Sequence, residues 1–425
     1  MGAGEGPTPP NEPALAQLGE RIDGRVPPRA RRRRRRRRLR LTAYVATGLV
    51  LVLVGVAGAA YYYGYLGFKA AERPLCTRGK IQVCRTELPG APFNVLVIGS
   101  DSRGGLPASD DKYFGGPGAV SGQRSDVVKI FHVDPTAGTI SVVSIPRDTM
   151  VSLLANKSLF GSQNRINVNF QNGPQLLVQT IEANFGIPIN HVVQIDFGGL
   201  VDAVNDVGGV WMYFPYPALD LYSSLDIPHT GCQRLNGFQA LAVARSRHFQ
   251  YLEGGYWQYD GTSDFGRIDR QNQFLRALVQ AVERDKYDPL QIASFLHDLP
   301  KGLELDNTFN YNQLLSIAWR FHTFNPNTLA AYTLPVVGAV DPAIGDVLYV
   351  DQPAAQQLLV RVFGQVGTRG GLYEPPDPPP NIYGATPPPP VVVLAHHVRH
   401  HTTTTTAPLH TEPQYTFNPL ACTPR

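Results

Sequence analysis

The chain has 425 residues, a formal net charge of +4 and an apolar fraction of 43%, which suits one large globular domain, or two ordinary ones, with tails. The positive charge is local. Arg29, the run Arg31–Arg38 and Arg40 hold a large share of it, so the overall balance is no argument for nucleic-acid binding. Four cysteines are too few for a disulfide scaffold.

Residues 1–40 are rich in Gly, Pro, Ala and charge and show no apolar period; they read as a disordered, basic, cytoplasmic N-terminus. Residues 41–68 contain no charged side chain. At ~1.5 Å per residue such a helix crosses a hydrocarbon core ~30 Å thick, and it is too long for a signal-peptide core. Tyr61, Tyr62, Tyr63 and Tyr65 stand where an aromatic belt belongs, and the arginines hold the N-terminus inside. The reading is a single-pass cell-membrane protein, extracytoplasmic from Lys69 onward, whose basic run also suits anionic headgroups. Residues 69–92 read as a short stalk. Cys76 and Cys84 enclose a small loop there and Cys232 and Cys422 remain; in an oxidising exterior three pairings are open.

Residues 93–365 read as one α/β domain of αβα type with a central mixed sheet. FNVLVIGS from Phe93 is a buried strand. A Gly-rich loop covers Gly104 to Gly122. Val127–Val133 and Thr139–Ile145 form a hairpin. Helices are expected over Pro174–Phe185, Phe197–Asp206, Asn236–Ala244, Asp264 to about Arg284, Pro289–Leu303, Asn312–Thr323 and Pro353–Phe363. Strands are expected over His191–Asp196, Val210–Phe214, Tyr332–Pro335 and Asp346–Val350. Residues 366–425, with their PPPP and TTTTT tracts, read as a disordered tail. Its His396, His397, His400 and His401 lack the preorganised geometry a metal site needs.

Polar residues gather at element ends: Asp101 after the first strand, Arg124 and Asp126 before the second, Arg147 and Asp148 after the third, then Arg165, Arg245 and Arg247, and finally Arg267, Arg270 and Gln271. Strand ends on one side of a sheet share a rim, where ligands bind. Arginines crowded there need an anion, and two aspartates beside them suit Mg²⁺, which takes one or two carboxylates and fills its octahedron with water and phosphate oxygens. Displacement at a diphosphate is the chemistry such a set supports. Arg267 and Gln271, four apart, share a helix face; Arg276 reads as an ordinary surface residue, and His132 and His248 as structural. No GxSxG, Walker or HExxH sequence is present.

Four segments in order, NVLVIGSDSRGG, RSDVVKIFHVDPTAGTISVVSIPRDT, RINVNF and LNGFQALAVARSRH with DFGRIDRQ, resemble the LytR-CpsA-Psr family of cell-wall glycopolymer ligases. The resemblance covers roughly Phe93 to Ala281. It implies a membrane-anchored phosphotransferase that moves a glycopolymer from a polyprenyl-diphosphate carrier onto peptidoglycan through a phosphodiester, using Mg²⁺ or, in its place, Mn²⁺, and able to hydrolyse the diphosphate when water replaces the acceptor. By motif, Asp101 and Asp126 would lie at the metal. Arg124, Arg147, Arg165, Arg245, Arg247, Arg267 and Gln271 would bind the diphosphate. Asp101, Arg147 and Arg267 are the expected catalytic residues, with Asp148 and Arg270 in support. Arg165 stands where the family often has lysine, and the loop from His248 to Ser263 is longer and more aromatic than the family pattern, suiting contact with an acceptor glycan or the membrane surface. The carrier's tail needs an apolar slot, sought between the sheet and helices such as Leu176–Phe185. Two other readings stand beside this one: a non-catalytic wall-polyanion binding or signalling protein, and, more weakly, a regulator using the arginine run. Nucleic acid is not expected as a partner, since no DNA-reading fold is legible. Teichoic acid, arabinogalactan and capsule all fit these motifs as the polymer.

Overall fold

The computed structural model describes residues 47, 52, 54–100, 125–155, 161–284, 302–321, 324–364 and 417–423. Asp101 and Arg124, the Gly104–Gly122 loop, the expected Pro289–Leu303 helix except for its last two residues, and the four tail histidines therefore lie outside the described residues. The chain divides into two compact units, Met1–Tyr62 and Tyr63–Arg425. Helix α1 covers residues 54–71. Much of the expected 41–68 span falls outside the described residues, and among those described no helix is long and apolar enough to cross a membrane.

The second unit is built on a seven-stranded mixed sheet. Its strands are β1 (Glu72–Arg73), β2 (Phe93–Ser100), β3 (Ser125–Asp134), β4 (Thr139–Ser144), β5 (His191–Ile195), β6 (Leu303–Asp306) and β7 (Ala330–Thr333), in the order β1-β6-β5-β2-β3-β4-β7. β2 pairs parallel with β5 and antiparallel with β3, and β7 parallel with β4. The C-terminal ends of β2, β4 and β5 thus lie at one rim, as a shared ligand edge requires.

The alternation along β2 and β3 separates two faces. Leu96, Ile98, Val128 and Ile130 belong to a closed core with Leu177 and Ile181 of α2 (Pro174–Phe185) and Leu358 and Leu359 of the last helix, Gln352–Phe363. The odd-numbered residues Val97, Val127 and Phe131 face the other way and line a cavity. That cavity is roofed by α3 (Phe197–Asp206), α4 (Gly237–Arg245) and α5 (Asp264–Arg284). α4 lies tight against α3 because Gly237 abuts the Val201 carbonyl, where a Cβ has no room. At the rim, Gly99 faces Val127 while Ser100 faces Ser125, so Asp126 is the extra residue of a bulge.

Three expectations need correction. The segment read as a stalk is part of the domain: β1 extends the sheet against β6, and Leu75, Cys76 and Cys84 are buried in the closed core. The tail is not disordered to its end. Leu420 and Ala421 pair with Val210–Phe214 of a second, three-stranded sheet, and Phe417 stacks on Tyr251 with centroids 4.6 Å apart. The cysteines pair as Cys76–Cys84 and Cys232–Cys422. The expected loop from His248 is instead a hairpin of Gln250–Glu253 and Tyr256–Tyr259.

Candidate active site

The cavity has a volume of about 390 Å³, within the range of small-molecule sites. Its depth is largely apolar, walled by Val97, Val127, Phe131, Leu241, Phe274 and Leu278, with the buried Lys129 between Val127 and Phe131. Its mouth carries Arg147, Arg245, Arg247, Arg267 and Gln271. This cavity lies on the face of the sheet opposite α2, whereas α2, with Leu176–Phe185 where the carrier slot was sought, closes the other core.

One carboxylate gathers the mouth. Asp264, at the start of α5, lies 2.7 Å from Arg247 Nε, 3.5 Å from Arg147 Nε and 3.5 Å from Arg267 Nη2. The Arg247 contact is an ion pair by distance in which neither atom makes an aligned hydrogen bond. Asp148 in turn lies 3.4 Å from Arg147 and 3.5 Å from Arg165. Four guanidiniums share two carboxylates in this chain of contacts. Among the described residues, this chain of contacts has more guanidiniums than carboxylates, a composition that suits an anion with several oxygens. The helix N-terminus at Asp264 adds partial positive charge at the same place.

Buried groups beneath the mouth hold it in shape. The capping box of Asn236 and Gln239 starts α4, and Ser246 ends it in an extended conformation. Ser246 Oγ donates to Asp220 Oδ2 at 2.6 Å, the His248 amide donates to the same oxygen at 2.9 Å, and Arg270 Nη2 donates to the Ser246 carbonyl at 2.9 Å. Arg245 and Arg247 thus project from either side of a pinned residue. Arg245 lies over the Phe197 ring at 4.6 Å. Gln271 Nε2 donates to the Ala244 carbonyl at 2.9 Å, joining α5 to the end of α4.

The expected site residues fall into three groups. Arg147, Arg245, Arg247, Arg267 and Gln271 meet at the mouth. Arg165 and Asp148 form its outer edge and are absent from the cavity lining. Arg165 Nη2 donates to the carbonyls of Ile344 and Asp346 at 2.9 and 2.8 Å, so its fork is engaged by backbone, a use that a lysine would not reproduce. Arg270 lies outside the cavity lining, in the position expected of a supporting residue: fully buried, it pairs with Asp260 at 2.7 Å, donates to Asn418 at 2.7 Å and lies 4.4 Å over Phe249. Asp126 is described in its backbone only. Arg276 is not a free surface residue either; it donates to the Leu329 carbonyl at 3.2 Å.

Four residues were missed. Asp264 and Asp220 were legible only as helix-start and loop carboxylates. Lys129 is buried and donates to Ser144 Oγ and Asn272 Oδ1, both at 2.6 Å, at the cavity wall; a lysine inside the run VVKIF was its signal. His248, read as structural, lines the mouth. His132 is structural, 2.8 Å from Asn94 Oδ1 and edge-on to Phe363. Burial pushes Asp196, in the cavity wall, above the ordinary carboxylate range. Among the described residues no group of three or more His, Cys, Asp or Glu is arranged to hold a metal ion.

A sequence profile of the LytR_cpsA_psr family matches residues 61–362. The chain belongs to that family. It is 29% identical over 277 residues to the probable cell wall biosynthesis protein LcpB of Corynebacterium glutamicum, covering 63% of this chain and 60% of that protein. It is 32% identical over 239 residues to the polyisoprenyl-teichoic acid–peptidoglycan teichoic acid transferase TagV of Bacillus subtilis, covering 53% and 54%. The chain thus spans less than two thirds of the length of these relatives. Its fold matches the crystal structure of B. subtilis TagV with a TM-score of 0.51 and 25% identity, covering 68% of this chain and 100% of that one. It matches the LytR-Csp2A-Psr enzyme from Actinomyces oris with a TM-score of 0.53 and 22% identity, covering 69% and 96%. The family match begins at residue 61, before the segment read as a stalk, in keeping with β1 forming an edge strand of the sheet.

Proposed function

We propose that this LytR_cpsA_psr protein is a membrane-anchored phosphotransferase that moves a glycopolymer from a polyprenyl-diphosphate carrier onto peptidoglycan. The observation that carries the reading is the join of two environments: a cluster of arginines at the mouth of an apolar slot. A diphosphate on a prenyl chain has the matching halves. The slot takes the first isoprene units by burial, and Arg147, Arg247 and Arg267 take the phosphate oxygens in forks. A wall-polyanion binding protein needs the arginines but has no use for the slot.

In the proposed step, an acceptor sugar hydroxyl attacks the phosphorus attached to the glycan. A new P–O bond forms, the P–O bond to the prenyl phosphate breaks, and the hydroxyl proton passes to a base. The arginines neutralise the charge that develops on the leaving phosphate. Water in place of the sugar gives hydrolysis. Asp101 remains the proposed base or metal partner and, with Asp126, the proposed holder of Mg²⁺ or Mn²⁺, which would draw charge from the bridging oxygens. The names of the relatives support transfer of a wall polymer; membrane anchoring through residues 41–68 rests on the sequence.

The test is transfer itself. The purified full chain is incubated with a prenyl-diphosphate glycan and peptidoglycan oligomers, with Mg²⁺ and with chelator. The proposal expects a glycan–phosphate–peptidoglycan product that needs Mg²⁺ and disappears in Arg147→Ala and Asp101→Ala. Tight binding of the donor with no product from wild type, under conditions where a related ligase turns over, contradicts it.

A further inference from the structure

The rim of the cavity continues into a ridge of rings that the phosphate chemistry does not use. Tyr222 and His248 both line the mouth, with ring centroids 4.5 Å apart. Tyr222 is nevertheless 78% exposed, so it stands at the lip. Tyr259 Oη lies 3.3 Å from His248 Nδ1. By strand alternation Trp257 shares the Tyr259 side of the hairpin, and both are exposed. The opposite side of the hairpin is held down, with Tyr251 stacked on Phe417 and tilted against Tyr216. Gly254 and Gly255, at φ of 62° and 86°, close its turn. The exposed rings therefore sit on a supported ribbon beside the reacting mouth.

The chemistry of this surface distinguishes two occupants. Between Tyr216 and Thr230, and between Gln250 and Ser263, there is no Lys or Arg; the charged side chains are Asp220, Asp226, Glu253 and Asp260. A face that docks on anionic lipid gathers cations; these two segments supply none, and of their carboxylates Asp220 and Asp260 are buried while Asp226 and Glu253 are exposed. Flat rings with polar tips suit a ligand that offers C–H faces and hydroxyls in alternation. We propose that Tyr222, His248, Tyr259 and Trp257 form the acceptor platform, across which a glycan strand lies with one sugar hydroxyl directed into the arginine mouth. This deepens the transferase reading and rests on it.

A titration without donor tests the platform separately from turnover. The full chain in detergent micelles is titrated with soluble peptidoglycan glycan fragments of several disaccharides, read by tryptophan fluorescence and calorimetry. Wild type is expected to bind saturably. Trp257→Ala and Tyr259→Ala should each weaken binding by about tenfold or more, with melting temperatures unchanged because both side chains are exposed. Trp319→Ala, which removes another exposed tryptophan outside the cavity lining, should bind as wild type does. Binding unaffected by the two ring deletions overturns the platform, as does absence of glycan binding by wild type. So does a Trp257-dependent response to phosphatidylglycerol vesicles with none to the glycan, which makes the ridge a membrane contact. If the transferase reading alone fails, no product forms from donor and acceptor while ring-dependent glycan binding persists.

Discussion

The two faces of the central sheet are made of similar residues and do different work. On one, Leu96, Ile98, Val128 and Ile130 meet α2 and the helix Gln352–Phe363 in a closed core. On the other, Val97, Val127 and Phe131 meet α3, α4 and α5 across a cavity. Apolar side chains alone therefore do not distinguish a core from a slot. The difference comes from the helix ends. α2 enters through Pro174 and leaves through Gly186, with no acidic residue in its first turn and no basic residue in its last, whereas α4 ends in Arg245 and α5 begins with Asp264 and Arg267. The charged ends gather around Asp264, so polar groups and not apolar contacts meet at the rim of the second face.

Substitutions at the mouth should break this contrast most sharply. Arg267→Ala, which deletes a cation aimed at developing charge, is expected to lower transfer by about 10²–10³-fold, measured as initial rate with saturating donor. Arg270 is next. It belongs to a buried pair with Asp260, both fully buried side chains, and removing one partner leaves the other uncompensated. Arg270→Leu should cost about 3–5 kcal/mol in denaturant unfolding. It should also loosen residues 417–423, seen as faster proteolysis after Phe417. If Arg270→Leu keeps stability and loses only turnover, Arg270 is a ligand contact and the present assignment is wrong.

The faces themselves separate in a third comparison. Ile181→Ala in the closed core should destabilise by about 2–5 kcal/mol. Leu278→Ala, on the cavity wall, should cost less than that, since Leu278 is only half-buried and already borders a space, and should change preference among prenyl chain lengths. The smallest effect concerns pH. His191 is buried between Glu87 at 2.9 Å and Asp306 at 3.2 Å. Burial alone would lower it, but the hydrogen bonds and charges of Asp306 and Glu87 outweigh burial and raise it above the ordinary histidine value. The folded state thus holds this proton more tightly than the unfolded chain. The resulting stability is fully present below about pH 6.5 and is lost as pH rises through the raised folded value. His191→Gln should flatten that slope in melting temperature between neutral and mildly alkaline pH.

Much of this was legible in the chain. The bounds of Pro174–Phe185, Phe197–Asp206, Val210–Phe214 and Asp264–Arg284 follow from apolar period, a glycine stop and proline entry, and the structure keeps them. The five mouth residues were legible because strand and helix ends collect at one rim. What local pattern cannot carry is pairing over distance. β1 and β6 are two and four residues long, too short to show a period, and gain their place only by pairing with each other and with β5. The docked tail depends on Cys232–Cys422, 190 residues apart, and on Asn418 donating to Asp269 at 2.7 Å. Asp264 looked like a helix-start carboxylate; that three arginines converge on it is a fact of the fold alone. Alternation in FNVLVIGS marks two sides of the sheet without saying which one stays open, so the face that carries the cavity is not legible from it.

The most direct test of the central claim, that slot and arginines hold one molecule together, is binding of a short prenyl diphosphate compared with its two halves. Geranylgeranyl diphosphate, geranylgeraniol and inorganic diphosphate are titrated in turn into wild type, Arg267→Ala and Leu278→Trp. The account predicts that the intact molecule binds far more tightly than either half, and that each substitution, one at the mouth and one filling the slot, removes most of that advantage. Equal binding of inorganic diphosphate and the prenylated form, or indifference to Leu278→Trp, would contradict it.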